Sequence, residues 1–219
     1  MKADLFGRIE KGTFTAPGAA PVRAVRRNPG VGAWWLRPIS RWLAGREAAS
    51  LRRLDGLADV PWLLDESREG IVRTWIDGEP MQIAKPDDPH YFAAGRRLLH
   101  SVRSRGVIHV DTAKKANWLV KPDGTPALVD LQCSLRFERT RGWVRMLAKE
   151  DLRHLLKHKK GFCPDDVTAV ERGLIRKKSL VARVWLQTGK RVYMFITRRI
   201  LDWSDGEGHG AGRREREAR

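Results

Sequence analysis

Cysteine is scarce in this sequence. Among 219 residues there are two, Cys133 and Cys163, and they form no CxxC pair. A disulfide-stapled fold needs several cysteines, and structural zinc sites need closely spaced cysteine and histidine ligands. The sequence therefore predicts neither type of site and is typical of a protein from a reducing compartment.

Long apolar runs are also missing. The first residues, MKADLFGRIEKG, contain no apolar segment of the kind that a secretory signal needs. No stretch approaches the roughly 18 consecutive apolar residues of a membrane-spanning helix. These absences predict a cytoplasmic protein. With 42% hydrophobic residues, the chain still has enough apolar material for the core of one large domain or of two small lobes.

Acidic residues are outnumbered in the second part of the chain. Residues 1 to 95 carry 14 Lys and Arg against 12 Asp and Glu, whereas residues 96 to 219 carry 29 against 14. The formal net charge of the whole chain is +17. A positive surplus favours anionic partners, which include nucleotides, nucleic acid and anionic membrane surfaces. Charge alone does not choose among these partners.

The most informative stretch covers residues 109–132, HVDTAKKANWLVKPDGTPALVDLQ. It contains Asp111, then Asn117 six residues later, and Asp130 after a second short apolar run. The sequence KPDG between the two apolar runs is typical of a tight turn. The order loop, strand, turn, strand predicts that Asp111, Asn117 and Asp130 meet at one end of a hairpin.

Two carboxylates and an amide in one place suit a phosphoryl-transfer site. Asp111 would align the acceptor hydroxyl, while Asn117 and Asp130 would hold Mg²⁺ on the nucleotide phosphates. His109 would anchor the loop through hydrogen bonds, and Lys114 would neutralise charge on the transferred phosphoryl group. The alternative interpretation is a β-hairpin with two surface aspartates, a capping histidine and solvated lysines.

This stretch resembles the catalytic loop and metal-binding aspartate of protein-kinase-like proteins. It is similar in particular to that of the bacterial RIO-like serine/threonine kinases and the related kinases that phosphorylate lipopolysaccharide sugars. Two features depart from the protein-kinase pattern: Asn117 follows Asp111 by six residues rather than five, and Asp-Leu-Gln at 130–132 replaces Asp-Phe-Gly. The resemblance implies ATP and Mg²⁺ as cofactors.

The resemblance also implies the fold and its division. The expected class is α+β, a two-lobed protein-kinase-like fold with a small β-rich N-lobe and a helical C-lobe. The N-lobe would cover residues 1–78 and the C-lobe residues 79–203. Residues 204–219, rich in Gly and then in charge, would form a disordered tail.

A buried glutamate is expected in the N-lobe. A helix predicted from Pro38 to about Leu54 places Glu47 on its apolar face, where a carboxylate is costly unless a cation pairs with it. The preceding strand, residues 21–26, offers Arg23 or Arg26 as that cation. In the kinase resemblance a lysine occupies this strand position and contacts the nucleotide phosphates. An arginine carries the same charge in a different geometry.

The remaining expectations concern adenine and the acceptor. A strand over residues 71–76 resembles the one that leads into the kinase hinge, so backbone groups around Thr74 and Ile76 would read adenine. Further helices are predicted over residues 90–105, over about 144–157, and from Pro164 onward. The sequence contains no long activation segment and no Ala-Pro-Glu motif. By resemblance, the acceptor is either a protein Ser or Thr or a sugar hydroxyl of lipopolysaccharide.

Two other functions are compatible with the same residues. One is a pseudokinase that binds nucleotide without efficient catalysis. The other is a basic module, with nine tryptophans, that binds RNA or an anionic membrane. The segment over residues 192–203 has helical apolar spacing flanked by arginines, so it would either lie on the inner face of a membrane or form a last core helix.

Overall fold

Five antiparallel strands form a sheet in the first part of the chain. The computed structural model describes residues 2–4, 7–29 and 37–176. The strands are β1 (Lys2–Asp4), β2 (Gly7–Phe14), β3 (Val22–Asn28), β4 (Leu63–Ser67) and β5 (Gly70–Thr74). Their order in the sheet is β1-β2-β3-β5-β4. The predicted strand over residues 21–26 is confirmed as β3, which continues two residues further.

A helix packs on this sheet through small residues. The helix α1 (Arg37–Arg53) confirms the one predicted from Pro38 to about Leu54. Ala44 and Ala48 are buried against Ile71 of β5, and their short side chains let α1 lie close to the sheet. Helical spacing places Glu47 on the same buried face.

The rest of the described chain is mainly helical. The helices are α2 (Met81–Ala84), α3 (Pro89–Ser104), α4 (Gly142–Phe162) and α5 (Ala169–Arg176). The short strands are β6 (Glu79–Pro80), β7 (Val107–Ile108), β8 (Trp118–Val120), β9 (Pro126–Leu128) and β10 (Leu135–Arg136). Strand β8 pairs with β6 and β9, and β7 pairs with β10. Within the described ranges, no helix is long and apolar enough to cross a bilayer.

The main core lies where α3, α4 and β8 meet. Trp118 and Leu155 are fully buried there. Gly95 of α3 faces both, and a Cβ atom at this position would lie 3.3 Å from their side-chain carbons. A larger residue at position 95 would therefore require the side chains of Leu155 and Trp118 to shift by a few tenths of an ångström.

The predicted hairpin is present. Trp118 pairs with Leu128 in the β8–β9 register, and the N–H of Gly124 donates to the carbonyl of Lys121 at 2.8 Å to close the turn. Gly124 has a φ of 76°, a conformation that glycine adopts at little cost. The strand-turn-strand interpretation of this stretch is therefore confirmed.

The helix α4 is longer than predicted. The prediction covered about Val144 to Lys157, whereas the helix runs from Gly142 to Phe162. In the structure His158 and Lys159 are both buried. His158 hydrogen-bonds to the carbonyl of Thr112, and the Lys159 ammonium lies 2.9 Å from the Glu171 carboxylate. These partners carry the helix on to Phe162.

The helix α5 begins later than predicted. It starts at Ala169 rather than near Pro164, because Thr168 and Glu171 form a reciprocal cap: each backbone N–H donates to the other side chain. Val170 and Leu174, two apolar residues of this helix, are exposed. The predicted segment over residues 192–203 and the tail over 204–219 lie outside the described residues.

Candidate active site

The loop that carries Asp111 follows β7 and is anchored by His109. The ring of His109 is fully buried; its Nε2 lies 2.9 Å from the carbonyl of Val129, and its Nδ1 accepts the N–H of Asp111 at 3.3 Å. Because Nδ1 accepts, Nε2 carries the proton and donates. His109 thus joins the loop to the strand end that leads to Asp130, as the sequence analysis predicts.

A second anchor, Asp151, was not found from the sequence. Its carboxylate accepts the N–H groups of His109 at 3.1 Å and Val110 at 3.2 Å, and the hydroxyl of Thr112 at 2.9 Å. Burial raises the pKa of Asp151 above its ordinary value, against the opposing influence of His109 and of these hydrogen bonds. The sequence did contain a signal: Asp151 stands in the apolar stripe of α4, seven residues after Val144 and four before Leu155.

The backbone at Val110 explains why two anchors are present. Its φ is 69°, in the left-handed region that a β-branched residue rarely adopts. Such a conformation costs about 1–3 kcal/mol and persists only when surrounding contacts enforce it. The hydrogen bonds from Asp151 to both sides of this residue supply that enforcement, and they fix the direction in which Asp111 leaves the loop.

Asn117 closes the loop onto Asp111. It is buried, and its side-chain N–H group donates to the Asp111 backbone carbonyl at 2.9 Å and to the Asp111 carboxylate at 3.2 Å. A single 3₁₀ turn, Lys115–Asn117, accommodates the extra residue of the Asp111–Asn117 spacing. The Asn117 carbonyl accepts the N–H of Val129 at 2.9 Å, so Asn117 lies beside the residue that precedes Asp130.

Asp130 completes the set at the end of β9. Its φ of 65° is left-handed, which aspartate tolerates better than most residues, and its carboxylate accepts the side-chain N–H of Gln132 at 2.6 Å. The structure therefore brings Asp111, Asn117 and Asp130 together, as predicted.

Lys114 pairs with Asp111. Its ammonium is 2.8 Å from the Asp111 carboxylate. Burial lowers the pKa of Lys114, but its hydrogen bond to Asp111 and the attraction of Asp111 and Asp130 outweigh burial, so its pKa lies above the ordinary value. Burial raises the pKa of the Cys133 thiol, and the same two carboxylates raise it further. Lys114 is therefore a charged cation, and Cys133 a neutral thiol, at the mouth of the site.

The partners of Glu47 differ from those expected. Glu47 is 1% exposed and pairs with Arg27 at 3.3 Å and with Arg73 at 3.2 Å. Strand alternation explains the correction: Arg26 points to the opposite face of β3 from Arg27 and pairs with Glu69.

Arg23 shares the Arg27 face but lies at the start of β3. Its side chain is 66% exposed and its guanidinium lies 2.6 Å from the Asp77 carboxylate. Arg23 therefore does not reach Glu47. Arg73 reaches it because the β3–β5 register places Arg73 opposite Val25, on the face that α1 covers.

The Glu47 cluster carries more positive than negative charge. Its two arginine side chains are only 10% and 17% exposed, and one carboxylate serves both. One buried positive charge is thus left without a carboxylate among the described residues. A buried cation of this kind favours an anionic ligand.

The helix α1 is fastened to the segment that follows Asp130. The Arg46 guanidinium donates to the carbonyl of Ser134 at 2.7 Å, and the Ser134 hydroxyl donates to that of Ser50 at 2.8 Å. Glu47 stands between these two fastening points on α1. The Glu47 cluster is therefore held in a fixed relation to the Asp130 segment.

Thr74 and Ile76, the two residues predicted to read adenine, differ in whether their backbone groups are free to bind a ligand. The N–H of Thr74 donates to the carbonyl of Trp62 at 2.9 Å, and the Thr74 hydroxyl accepts the N–H of Trp62 at 2.8 Å. Both groups are thus used within the sheet. Ile76 lies beyond the end of β5, where the strand ladder has stopped. The backbone at Ile76, rather than the amide of Thr74, is open to a ligand.

Comparison with known proteins bears on the fold. No protein-family model matches the chain, and no curated protein matches it in sequence. Among solved structures, the chain is similar to the Rio2 kinase from Chaetomium thermophilum, with a TM-score of 0.53 and 19% sequence identity. The match covers 72% of this chain and 56% of that protein, so the chain spans little more than half the length of the kinase it resembles. The chain therefore has the two-lobed protein-kinase-like fold of class α+β that the sequence predicted.

Proposed function

We propose that this protein is an ATP- and Mg²⁺-dependent phosphotransferase that moves the γ-phosphate of ATP to a hydroxyl group. The observation that carries the proposal is the geometry around Asp111: two buried side chains hold its loop in a strained conformation, Asn117 closes on Asp111, and Asp130 follows the adjoining strand β9. A bare surface hairpin would need no such anchoring. The kinase-like fold is consistent with the same activity.

Asp111 would orient the acceptor hydroxyl and accept its proton. Its carboxylate is held from one side by the Asn117 amide and from another by the Lys114 ammonium. On transfer, the acceptor oxygen forms a bond to phosphorus, the bond to the ADP oxygen breaks, and the hydroxyl proton passes to Asp111. Lys114 would neutralise charge on the transferred phosphoryl group.

The residues fit Mg²⁺ by the chemistry of their donors. Asn117 turns its N–H group to Asp111, which leaves the amide oxygen as its metal-binding atom, and Asp130 adds a carboxylate. Mg²⁺ prefers a few protein oxygens and completes its shell with phosphate oxygens and water. When bound, the ion would neutralise the nucleotide phosphates.

ATP would lie between an N-lobe of residues 1–78 and a C-lobe of residues 79–203. The surplus positive charge of the Glu47 cluster supports phosphate binding there, with Arg27 in place of the arginine that the sequence suggested. Arg23, paired with Asp77 near the hinge, would make at most an outer contact. Adenine would be read by the backbone at Ile76.

The acceptor and location are also proposed. Ten residues separate Leu131 from the start of α4, too few for a long platform that grips a peptide. A single serine or threonine side chain, or a sugar hydroxyl of lipopolysaccharide, needs no such platform. The resemblance of residues 109–132 to the catalytic loop of bacterial RIO-like kinases and the related sugar kinases favours these acceptors, in the cytoplasm or at the inner face of the membrane.

Turnover of ATP in the Asp111→Ala variant tests the function. Loss of the base and orienting group should reduce Mg²⁺-dependent turnover by about 100-fold or more. Asp65→Ala, which removes an exposed carboxylate on β4, serves as the control and should leave turnover unchanged. If the wild type binds ATP and Mg²⁺ but turns over no faster than Asp111→Ala, the protein is a pseudokinase instead.

A further inference from the structure

A trough lined by arginines runs along the surface behind the catalytic loop. It consists of three neighbouring cavities. The first, about 130 Å³, lies between α3, β7 and α4. The second, about 420 Å³, shares His100 and Arg103 with the first, and the third, about 290 Å³, shares Phe137 and Glu138 with the second. We call these three adjoining cavities the basic trough.

The free charge of the basic trough is positive. Its exposed arginines without a carboxylate partner among residues 8–29 and 37–176 are Arg96, Arg103, Arg105, Arg139 and Arg141. Arg105 donates to the backbone carbonyl of Asp55, which leaves the other four free. Of the two carboxylates that line it, Glu138 is paired with Arg53, and Asp151 is taken up by the catalytic loop. Exposed cations crowded without counter-charges repel one another, so the trough is complementary to an anion.

Aromatic side chains stand at one end of the trough. Phe137 lines both the second and the third cavity, and Trp143 lines the third and is 44% exposed. A concave surface that combines arginines with exposed aromatic rings suits single-stranded nucleic acid, whose phosphates follow the cations while its bases stack on the rings. A membrane is flat and would be met by a projecting apolar surface, not by cations on concave walls.

We propose that the basic trough binds single-stranded nucleic acid. Its four free arginines contact phosphates, and Phe137 and Trp143 stack on bases. This site lies apart from the Asp111 carboxylate and does not depend on phosphoryl transfer.

Binding of a labelled 12-nucleotide single-stranded RNA to the full-length chain tests the proposal by fluorescence anisotropy between 50 and 200 mM KCl. The trough variant combines Arg103→Gln, Arg139→Gln and Arg141→Gln. It should bind about tenfold or more weakly at 100 mM salt, and the slope of log affinity against log salt should fall by about two, because each lost phosphate contact contributes about 0.7.

A matched control variant combines Arg37→Gln, Arg41→Gln and Arg68→Gln. These arginines are exposed on α1 and in the turn between β4 and β5, so the control loses as much positive charge as the trough variant. Both variants keep every basic residue after Arg176. Its affinity should stay within about twofold of the wild type. Equal losses in the two triple variants would mean that binding follows net charge, and would overturn the proposal.

Single tryptophan variants separate stacking from charge. Trp143→Ala should weaken RNA binding by about fivefold or more, the typical cost of a lost base–aromatic stack, whereas Trp42→Ala, which removes an exposed tryptophan of α1, should not. Vesicles containing anionic phospholipid provide the last arm. If the trough variant loses vesicle binding while RNA binding is unchanged, the trough is a membrane surface and the nucleic-acid proposal is wrong.

Discussion

Two buried carboxylates hold the two parts of the candidate site, and they are satisfied in different ways. Asp151 accepts two backbone N–H groups and a hydroxyl, all neutral donors. Glu47 accepts from two guanidinium groups. The first arrangement fixes a shape, because its donors belong to the loop that carries Asp111. In the second arrangement two cations share one anion, so one positive charge is not neutralised. The proposed function assigns this charge to phosphate binding.

The largest loss of stability is expected when the hydrogen bonds to Asp151 are removed. Asp151→Ala leaves the N–H groups of His109 and Val110 without their acceptor, at a cost of about 1–3 kcal/mol for each buried group, whereas the hydroxyl of Thr112 keeps the backbone carbonyl of residue 151. We expect the free energy of unfolding to fall by about 3 kcal/mol or more, measured by urea denaturation. Asp65→Ala is the control. A loss below about 1 kcal/mol would show that Asp151 does not hold the loop.

Removing the ion pairs of Glu47 should lower the free energy of unfolding slightly less, and the loss should depend on salt. Glu47→Gln leaves Arg27 and Arg73 without a full counter-charge, which should lower the free energy of unfolding by about 3 kcal/mol. Sulfate should restore part of this loss, because an anion can replace the missing carboxylate. The same titration on Asp151→Ala corrects for general stabilisation by sulfate. Equal sulfate responses in the two variants would remove the distinction between the two carboxylates.

Variants of Arg73 and Arg23 test which positive charge binds the nucleotide. Arg73→Met leaves Arg27 and Glu47 as a neutral pair, so Arg27 no longer has a surplus positive charge to offer phosphate. The dissociation constant for ATP with Mg²⁺ should then rise about tenfold, the worth of one charge-assisted hydrogen bond. Arg23→Met breaks an exposed pair that contributes little. It should leave the dissociation constant within about twofold. The reverse order would return the phosphate contact to Arg23.

The smallest effect on stability is expected for His158, which hydrogen-bonds to the carbonyl of Thr112, a residue whose hydroxyl binds Asp151. Burial lowers the pKa of His158 below its ordinary value, although its hydrogen bond to the Thr112 carbonyl opposes this. A lowered folded-state pKa means that the unfolded chain binds more protons below about pH 6.5, so stability is lost as the pH falls through that range. The unfolding free energies of wild type and His158→Gln, measured from pH 7.5 to 5, should therefore converge on acidification. A constant difference would contradict this.

The sequence was sufficient where the relevant contacts are local. Asp111, Asn117 and Asp130 lie within 20 residues of one another, and a hairpin of ordinary turn chemistry brings them together. The spacing of apolar residues was likewise enough for α1 and α3. In these cases the chain's own periodicity determines which side chains meet.

Long-range contacts explain what the sequence did not reveal. Asp151 stands about 40 residues beyond the loop that it holds, and its role depends on how α4 docks against β7. The partners of Glu47 depend on strand register: β3 continues past Arg26 to include Arg27, and β5 brings Arg73 opposite Val25. Neither register nor docking is encoded in the spacing of one segment.

The proposed function requires that Asp130 and its neighbours form a metal-dependent nucleotide site. Thermal and urea unfolding with and without ATP and Mg²⁺, for the wild type and for Asp130→Ala, tests it most directly. Asp65→Ala, which removes an exposed carboxylate on β4, is the control. At a hundredfold excess over the dissociation constant, ATP with Mg²⁺ should stabilise the wild type and the control by about 2.7 kcal/mol and should not stabilise Asp130→Ala. No stabilisation of the wild type, or equal stabilisation of all three proteins, would contradict the account.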